Sequence, residues 1–170
     1  MDKRDKKIIV IVLLLAILLS IVLILGSRVK VKTYSNSNFR VSYDTTWKVK
    51  NNKDELHLVH KKTKSEIRIQ CKVLDANYMG TSLDDLIDDI AFSIEEQNEG
   101  YKLINRTSGF NKKYDSYSYL YEKGDKQVAV DILKKDAKLI IAYYEADSKY
   151  FDIVLVSADE IFNSLEFVFE

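Results

Sequence analysis

The chain has 170 residues, 26 basic and 26 acidic side chains, one cysteine and no proline. That length supports one domain, and a single cysteine excludes an intramolecular disulfide. Residues 1–32 hold seven Lys/Arg and two Asp, so the remainder carries 19 basic and 24 acidic residues; a net of −5 excludes the concentrated basic surface that nucleic-acid binding needs.

A basic tail, residues 1–7, opens the chain with Lys3, Arg4, Lys6 and Lys7. It is followed by Ile8 to Leu25, 18 residues with Ser20 as the only polar member and no charge. As a helix this run reaches about 27 Å, close to the ~30 Å of bilayer hydrocarbon. Residues 8–26 are therefore expected to form a transmembrane helix that tethers the chain to a membrane. A cleavable signal peptide is the rival reading, but its apolar region is shorter and it wants a small residue where Ile24 stands. The one cysteine, Cys71, lies far beyond the run, so a lipoprotein leader is excluded, and no early Glu supports a pilin helix. The basic tail and free amino terminus place the amino terminus inside and the remainder outside the cytoplasm, although Arg28, Lys30 and Lys32 narrow the charge bias. Residues 27–38, ending in TYSNSN, read as a short polar linker, leaving residues 39–170 as the extracytoplasmic domain.

Phe39-Arg-Val-Ser-Tyr43 alternates apolar and polar residues as a half-buried strand does, Asp44-Thr45-Thr46 turns, and Trp47 to Val49 resumes an extended pattern. Leu56 to His60 and Glu66 to Val73 make a hairpin with Lys61 to Lys64 at its tip. Ser82 to Glu99 is the clearest helix. Leu83, Leu86, Ile87, Ile90, Ala91 and Ile94 share one face, Ser82 is placed to cap it, and Gly100 stops it. Tyr101 to Thr107, Tyr114 to Glu122, Gln127 to Leu133 and Leu139 to Glu145 read as strands whose short connections imply antiparallel neighbours. Ser148 to Asn163 reads as a second helix, with Ile153 to Val156 also acceptable as a strand, and Leu165 to Phe169 closes the chain as a strand. The pattern predicts an α+β fold, an antiparallel sheet flanked by helices.

Phe39-Arg-Val-Ser-Tyr-Asp-Thr-Thr-Trp47 resembles the opening of PsbP-like domains, where an F-x-V/I-x-Y/F strand meets a Pro-x-x-Trp turn. Ile161-Phe-Asn-Ser-Leu-Glu-Phe167 is similar to their closing helix-to-strand segment. Asp44 stands where the family usually has proline, and Leu165 where it usually has Phe. The resemblance covers about residues 38–168. It implies an α/β/α sandwich and a non-enzymatic role, since the family includes photosystem extrinsic subunits, a Ran-binding nuclear protein and bacterial envelope lipoproteins. No catalytic residue comes with it.

Two groups of residues are candidates for binding a partner. Asp84, Asp85, Asp88 and Asp89 form two i,i+4 carboxylate pairs opposite the apolar stripe of the first helix, extended by Glu95, Glu96 and Glu99. Such a face is ordinarily solvated, with acids near the favourable end of the helix dipole; a dedicated calcium loop would add backbone carbonyls and a sharp Gly turn. Tyr117, Tyr119 and Tyr121 alternate along one strand, either as a binding platform or, more ordinarily, packed beneath a helix. His57 and His60 lie three apart on a strand and point to opposite faces, so no metal site is expected, and no motif calls for a cofactor. The lysines of Lys61 to Lys64, Lys112-Lys113 and Lys134 to Lys138 sit at turns, where they protect sheet edges or, if two turns share one end, meet an anionic surface. The expectation is a single-pass membrane protein whose outer domain docks a protein partner or supports an envelope assembly. The alternative is a ligand-binding or sensory module. Nothing in the sequence speaks to oligomeric state.

Overall fold

A computed structural model describes residues 30–51, 55–109, 111 and 113–168. The basic tail and the expected transmembrane helix, residues 8–26, lie outside the described residues. Among the described residues no helix is long and apolar enough to cross a membrane.

The strands are β1 (Val31–Ser35), β2 (Phe39–Asp44), β3 (Trp47–Asn51), β4 (Glu55–His60), β5 (Glu66–Val73), β6 (Lys102–Ser108), β7 (Asp115–Lys123), β8 (Lys126–Lys135), β9 (Lys138–Asp147) and β10 (Glu166–Phe167). The helices are α1 (Leu83–Gln97) and α2 (Ser148–Asn163). One antiparallel sheet has seven strands in the order β3-β4-β5-β9-β8-β7-β6, and a second has three in the order β1-β2-β10.

Alternation along β8 and β9 assigns the two sides of the large sheet. Val128, Val130, Ile132, Leu139, Ile141 and Tyr143 face one way and join Leu83, Ile87, Ala91 and Ile94 of α1 in one core. Leu133, Ile140, Ala142, Tyr144 and Ala146 face the other way and pack with Phe151, Val154, Ala158, Ile161 and Phe162 of α2, together with Phe39, Val41 and Tyr43 of β2. The central strands are apolar on both faces because both are covered. Ser82 caps α1 by accepting the Asp85 amide at 3.2 Å; the helix ends at Gln97, where the Asn98 side chain donates to the Ile94 carbonyl at 2.7 Å, and Gly100, at φ 88°, takes the left-handed conformation in the turn that follows.

Two serines pin α2. The Trp47 indole N–H donates to Ser157 Oγ at 2.9 Å, and that hydroxyl donates to Asp44 Oδ2 at 3.2 Å. Ser164 Oγ accepts the Ser42 amide at 2.9 Å and donates to the Ser42 carbonyl at 3.1 Å or to Ile161 at 2.7 Å. The stretch from Ser148 is helical throughout, so the alternative strand at Ile153 to Val156 is not formed.

Two expectations need correction. The linker placed at residues 27–38 contains β1, which pairs with β2 from Val31 against Asp44 to Ser35 against Arg40, so the compact unit begins at Val31 and not at residue 39. This edge strand half-buries only Tyr34, against Phe39, and so shows no alternation of apolar and polar residues. The strand Phe39 to Asp44 does not extend the main sheet; β1 and β10 flank it in a separate layer that shares α2's side.

Truncating Trp47 to Ala is expected to cost about 3–5 kcal/mol, because it empties a buried site and removes the indole's hydrogen bond to Ser157. Urea denaturation checks this; a loss below about 1 kcal/mol would mean that α2 is not held from β3.

Candidate functional site

The structure brings the two sequence-predicted groups together. The Tyr117 hydroxyl donates to Asp84 Oδ1 at 2.8 Å. Arg106 of β6 donates to Asp88 Oδ1 at 2.7 Å, with its guanidinium 4.6 Å from the Tyr117 ring centroid and 5.6 Å from that of Tyr119. Asp85 accepts from the Ser82 hydroxyl at 2.7 Å as part of the helix cap. Asp89 borders a shallow apolar hollow with Leu74, Tyr78 and Ile90. Tyr119 and Tyr121 stack 5.9 Å apart and are buried beneath α1; only Tyr117 stays half-exposed, so most of the ladder is core and not platform. Among the described residues the buried hydroxyls of Tyr101, Tyr119 and Tyr121 find no hydrogen-bond partner, and burial pushes all three above the ordinary phenol range, Tyr101 to about 12.

The histidines and turn lysines are engaged structurally. His57 Nε2 lies 3.0 Å from Glu66 Oε2, and the His60 ring packs 5.2 Å from that of Trp47 while its Nδ1 meets Thr63 Oγ1 at 2.7 Å. Among the described residues no cluster of acidic, His and Cys side chains could hold a metal ion. Lys113 and the β8–β9 turn share one end of the sheet, but Lys113 pairs with Glu166 at 2.9 Å and Lys138 donates to the Val168 carbonyl at 3.0 Å. Lys134 is only 7 % exposed, which removes it from any surface patch.

The more unusual site lies on the α2 side of the sheet. Thr107 on β6, Ser118 on β7 and Asp131 on β8 are register neighbours and form a polar row across three strands. Along β8 the face alternates, and Asp131 falls on the same side as Ala129 and Leu133, toward α2. Leu155, Asp159, Phe162 and Asn163 of α2 border the row, and with Leu120 and Phe151 they enclose a cleft of about 380 Å³. Asp131 is 6 % exposed. Burial pushes its carboxyl up to about 7; the Ser118 hydroxyl offsets part of this, and the Asp159 carboxylate adds to it. Burial raises Asp159 as well. Asp131 therefore changes charge near neutral pH inside a cleft, the combination that marks candidate functional sites.

With seven antiparallel strands, one helix on each face and a small sheet beside the second helix, the architecture can be set against solved structures. Cyanobacterial PsbP (CyanoP) from Synechocystis sp. PCC 6803 superposes with a TM-score of 0.62 at 13% identity, over 82% of this chain and 93% of that one. The fold is PsbP-like. A protein of unknown function from Pseudomonas aeruginosa, PA94, matches at a TM-score of 0.53 and 12% identity, over 79% and 94% of the two chains. LpqN of Mycobacterium tuberculosis, described as involved in cell envelope biogenesis, matches at 0.52 and 7%, over 84% and 93%. No protein-family model and no curated protein matches the sequence.

Within this PsbP-like frame, Asp131, Asp159 and Arg106 are the residues that sequence reasoning passed over. A signal for Asp131 was present. In Val-Ala-Val-Asp-Ile-Leu, residues 128–133, it is the one polar residue in a run otherwise apolar on both faces, and such a run belongs to a strand covered on both sides. Arg106 and Asp159 carry no comparable mark.

An acid whose titration is raised by folding binds its proton more tightly in the folded state, so its burial is harmless near pH 4 and increasingly costly as pH rises toward 7. Asp131→Asn is expected to lie within about 1 kcal/mol of the parent at about pH 4.5 and to exceed its stability at about pH 8, by on the order of 4 kcal/mol at most. Urea denaturation at the two pH values measures the difference; equal stability at both would show that Asp131 ionises as readily folded as unfolded.

Proposed function

We propose that this chain is a membrane-anchored, extracytoplasmic accessory domain, not an enzyme, that docks a protein partner or supports an envelope assembly through the outer face of α1. The observation that carries this reading is Phe92. Its side chain is 67 % exposed and projects from the face opposite the α1 core stripe, among Asp85, Asp88, Asp89, Glu95, Glu96 and Glu99. A large aromatic exposed at the centre of a charged face contributes nothing to folding, and aromatic anchors ringed by polar residues are the usual energetic centre of protein interfaces. The surrounding carboxylates favour a basic partner and would steer its approach. The likeness to CyanoP and to an envelope-biogenesis protein is consistent with an accessory role, and the apolar run Ile8 to Leu25 supports the anchor. A second reading, a ligand-binding module, draws support from the cleft beside Asp131.

Because nothing packs on Phe92, Phe92→Ala is expected to change stability by less than about 0.5 kcal/mol. In native membranes, a photo-crosslinking residue at position 96 is expected to give one discrete protein adduct, weakened at least about tenfold by Phe92→Ala. An adduct indifferent to that substitution would sink the docking face. For the topology, an export-dependent reporter fused after Glu170 is expected to be active; activity of a reporter that works only in the cytoplasm would reverse the placement.

A further inference from the structure

Three partly buried acids of this chain meet a cation. Glu145 lies 2.5 Å from Lys126 Nζ, Glu66 3.0 Å from His57 Nε2, and Glu166 2.9 Å from Lys113 Nζ. Asp131 is more buried than any of these and has no ion pair among the described residues. The groups facing it are the Ser118 hydroxyl from β7, Ala142 from β9 and, from α2, a second acid, Asp159. Among the described residues no Lys, Arg or His lines the cleft. Acids are almost never fully buried without a partner, and Asp131 opens onto a space large enough for a small molecule to supply one.

We propose that this cleft binds a small organic cation, an ammonium group on a compact apolar body, with Asp131 as its counter-ion. The inference rests on the ligand-binding reading above and assigns the ligand's chemistry. Two carboxylates exclude an anion. A hard metal ion takes six or more oxygens, whereas Leu120, Ala129, Phe151, Leu155 and Phe162 give this wall a large apolar share. An ammonium group supplies N–H donors to Asp131 and to the hydroxyls of Ser118 and Thr107, while its apolar body covers the leucines and the phenylalanine edges. A charge-assisted hydrogen bond in a site shielded from water is about twice as strong as a neutral one. The cation keeps Asp131 ionised, so binding below about pH 7 releases the proton that burial holds there.

Three probes of one shape separate the outcomes: phenethylamine, 2-phenylethanol and phenylacetate, titrated into the purified full-length chain with amide and carboxyl chemical shifts as the readout. The amine is expected to shift residues 118, 131 and 159, to bind at least about tenfold more tightly than the alcohol, and to bind more tightly at pH 8 than at pH 6. It is also expected to lower the titration midpoint of the Asp131 carboxyl, and Asp131→Asn, which keeps the fold, should abolish the preference for charge. Equal binding of the alcohol or the acid in the cleft would overturn the cation proposal and leave the ligand-binding reading standing. Absence of any shift in the cleft with all three probes would remove both.

Discussion

A seven-stranded sheet is wider than any single helix laid across it. At about 4.8 Å per strand it spans about 29 Å, whereas a helix with its side chains is about 10 Å across. The rest of the structure follows from how each face meets that mismatch. On one face α1 covers β7 to β9, and β4 and β5 turn His57, Arg68 and Gln70 outward on their uncovered portion. On the other face the small sheet and α2 share the work. Phe39, Val41 and Tyr43 pack in the same core as Leu56, Leu58, Ile67 and Ile69, and α2 lies over β8 and β9. That leaves the ends of β6 and β7 beyond the edge of α2, and the cleft is the step between covered and uncovered sheet.

The same constraint sets the energetics of Asp131. A carboxylate in the middle of β8 has two positions available, the α1 face or the α2 face, and on either it is flanked by β7 and β9. On the α1 face it would meet the stacked tyrosines and the stripe of Leu83, Ile87 and Ile94. On the α2 face it sits at the margin, where Ser118 donates to it but Asp159 repels its charge. A conventional solution would replace it with Asn or Val at no cost to packing. An acid retained there keeps a group whose charge responds to whatever enters the cleft, at the expense of stability above neutral pH.

What could be read from the residues divides along physical lines. Covered strands and helices advertise themselves by period, so β2, β4, β5, β7, β8, β9, α1 and α2 were legible, as was the cap at Ser82. β1 was not, because Val31 to Ser35 is an exposed edge held by backbone pairing, which no side-chain period reports. Nor was the division into two sheets, since period 2 says which residues share a face and nothing about which strand lies alongside. The tyrosine ladder illustrates the same limit at the site. Alternation placed Tyr117, Tyr119 and Tyr121 on one face, but only the position of α1 shows that Tyr119 and Tyr121 are core while Tyr117 reaches Asp84. Phe92, an aromatic off the apolar stripe, and Asp131, an acid inside an apolar run, were passed over although each breaks its local pattern. Both are places where local pattern and global fold disagree, and such disagreements concentrate at functional positions.

The two candidate surfaces also differ in how they are built, and β7 connects them. Its odd residues Tyr117, Tyr119 and Tyr121 support α1 and, through Arg106, hold Asp88 of the acidic face. Its even residues Ser118 and Leu120 line the cleft on the opposite side. A partner on Phe92 and a small cation beside Asp131 would therefore occupy opposite faces of one strand without steric conflict. The sheet between them is close-packed and hydrogen-bonded from β6 to β9, with a single register shift between Leu103 and Asn105 away from both sites, so it offers no second arrangement through which one site could bias the other. The geometry thus favours independent binding at the two faces: a ligand in the cleft and a protein on α1 should add in free energy, each tested by its own substitution without disturbing the other.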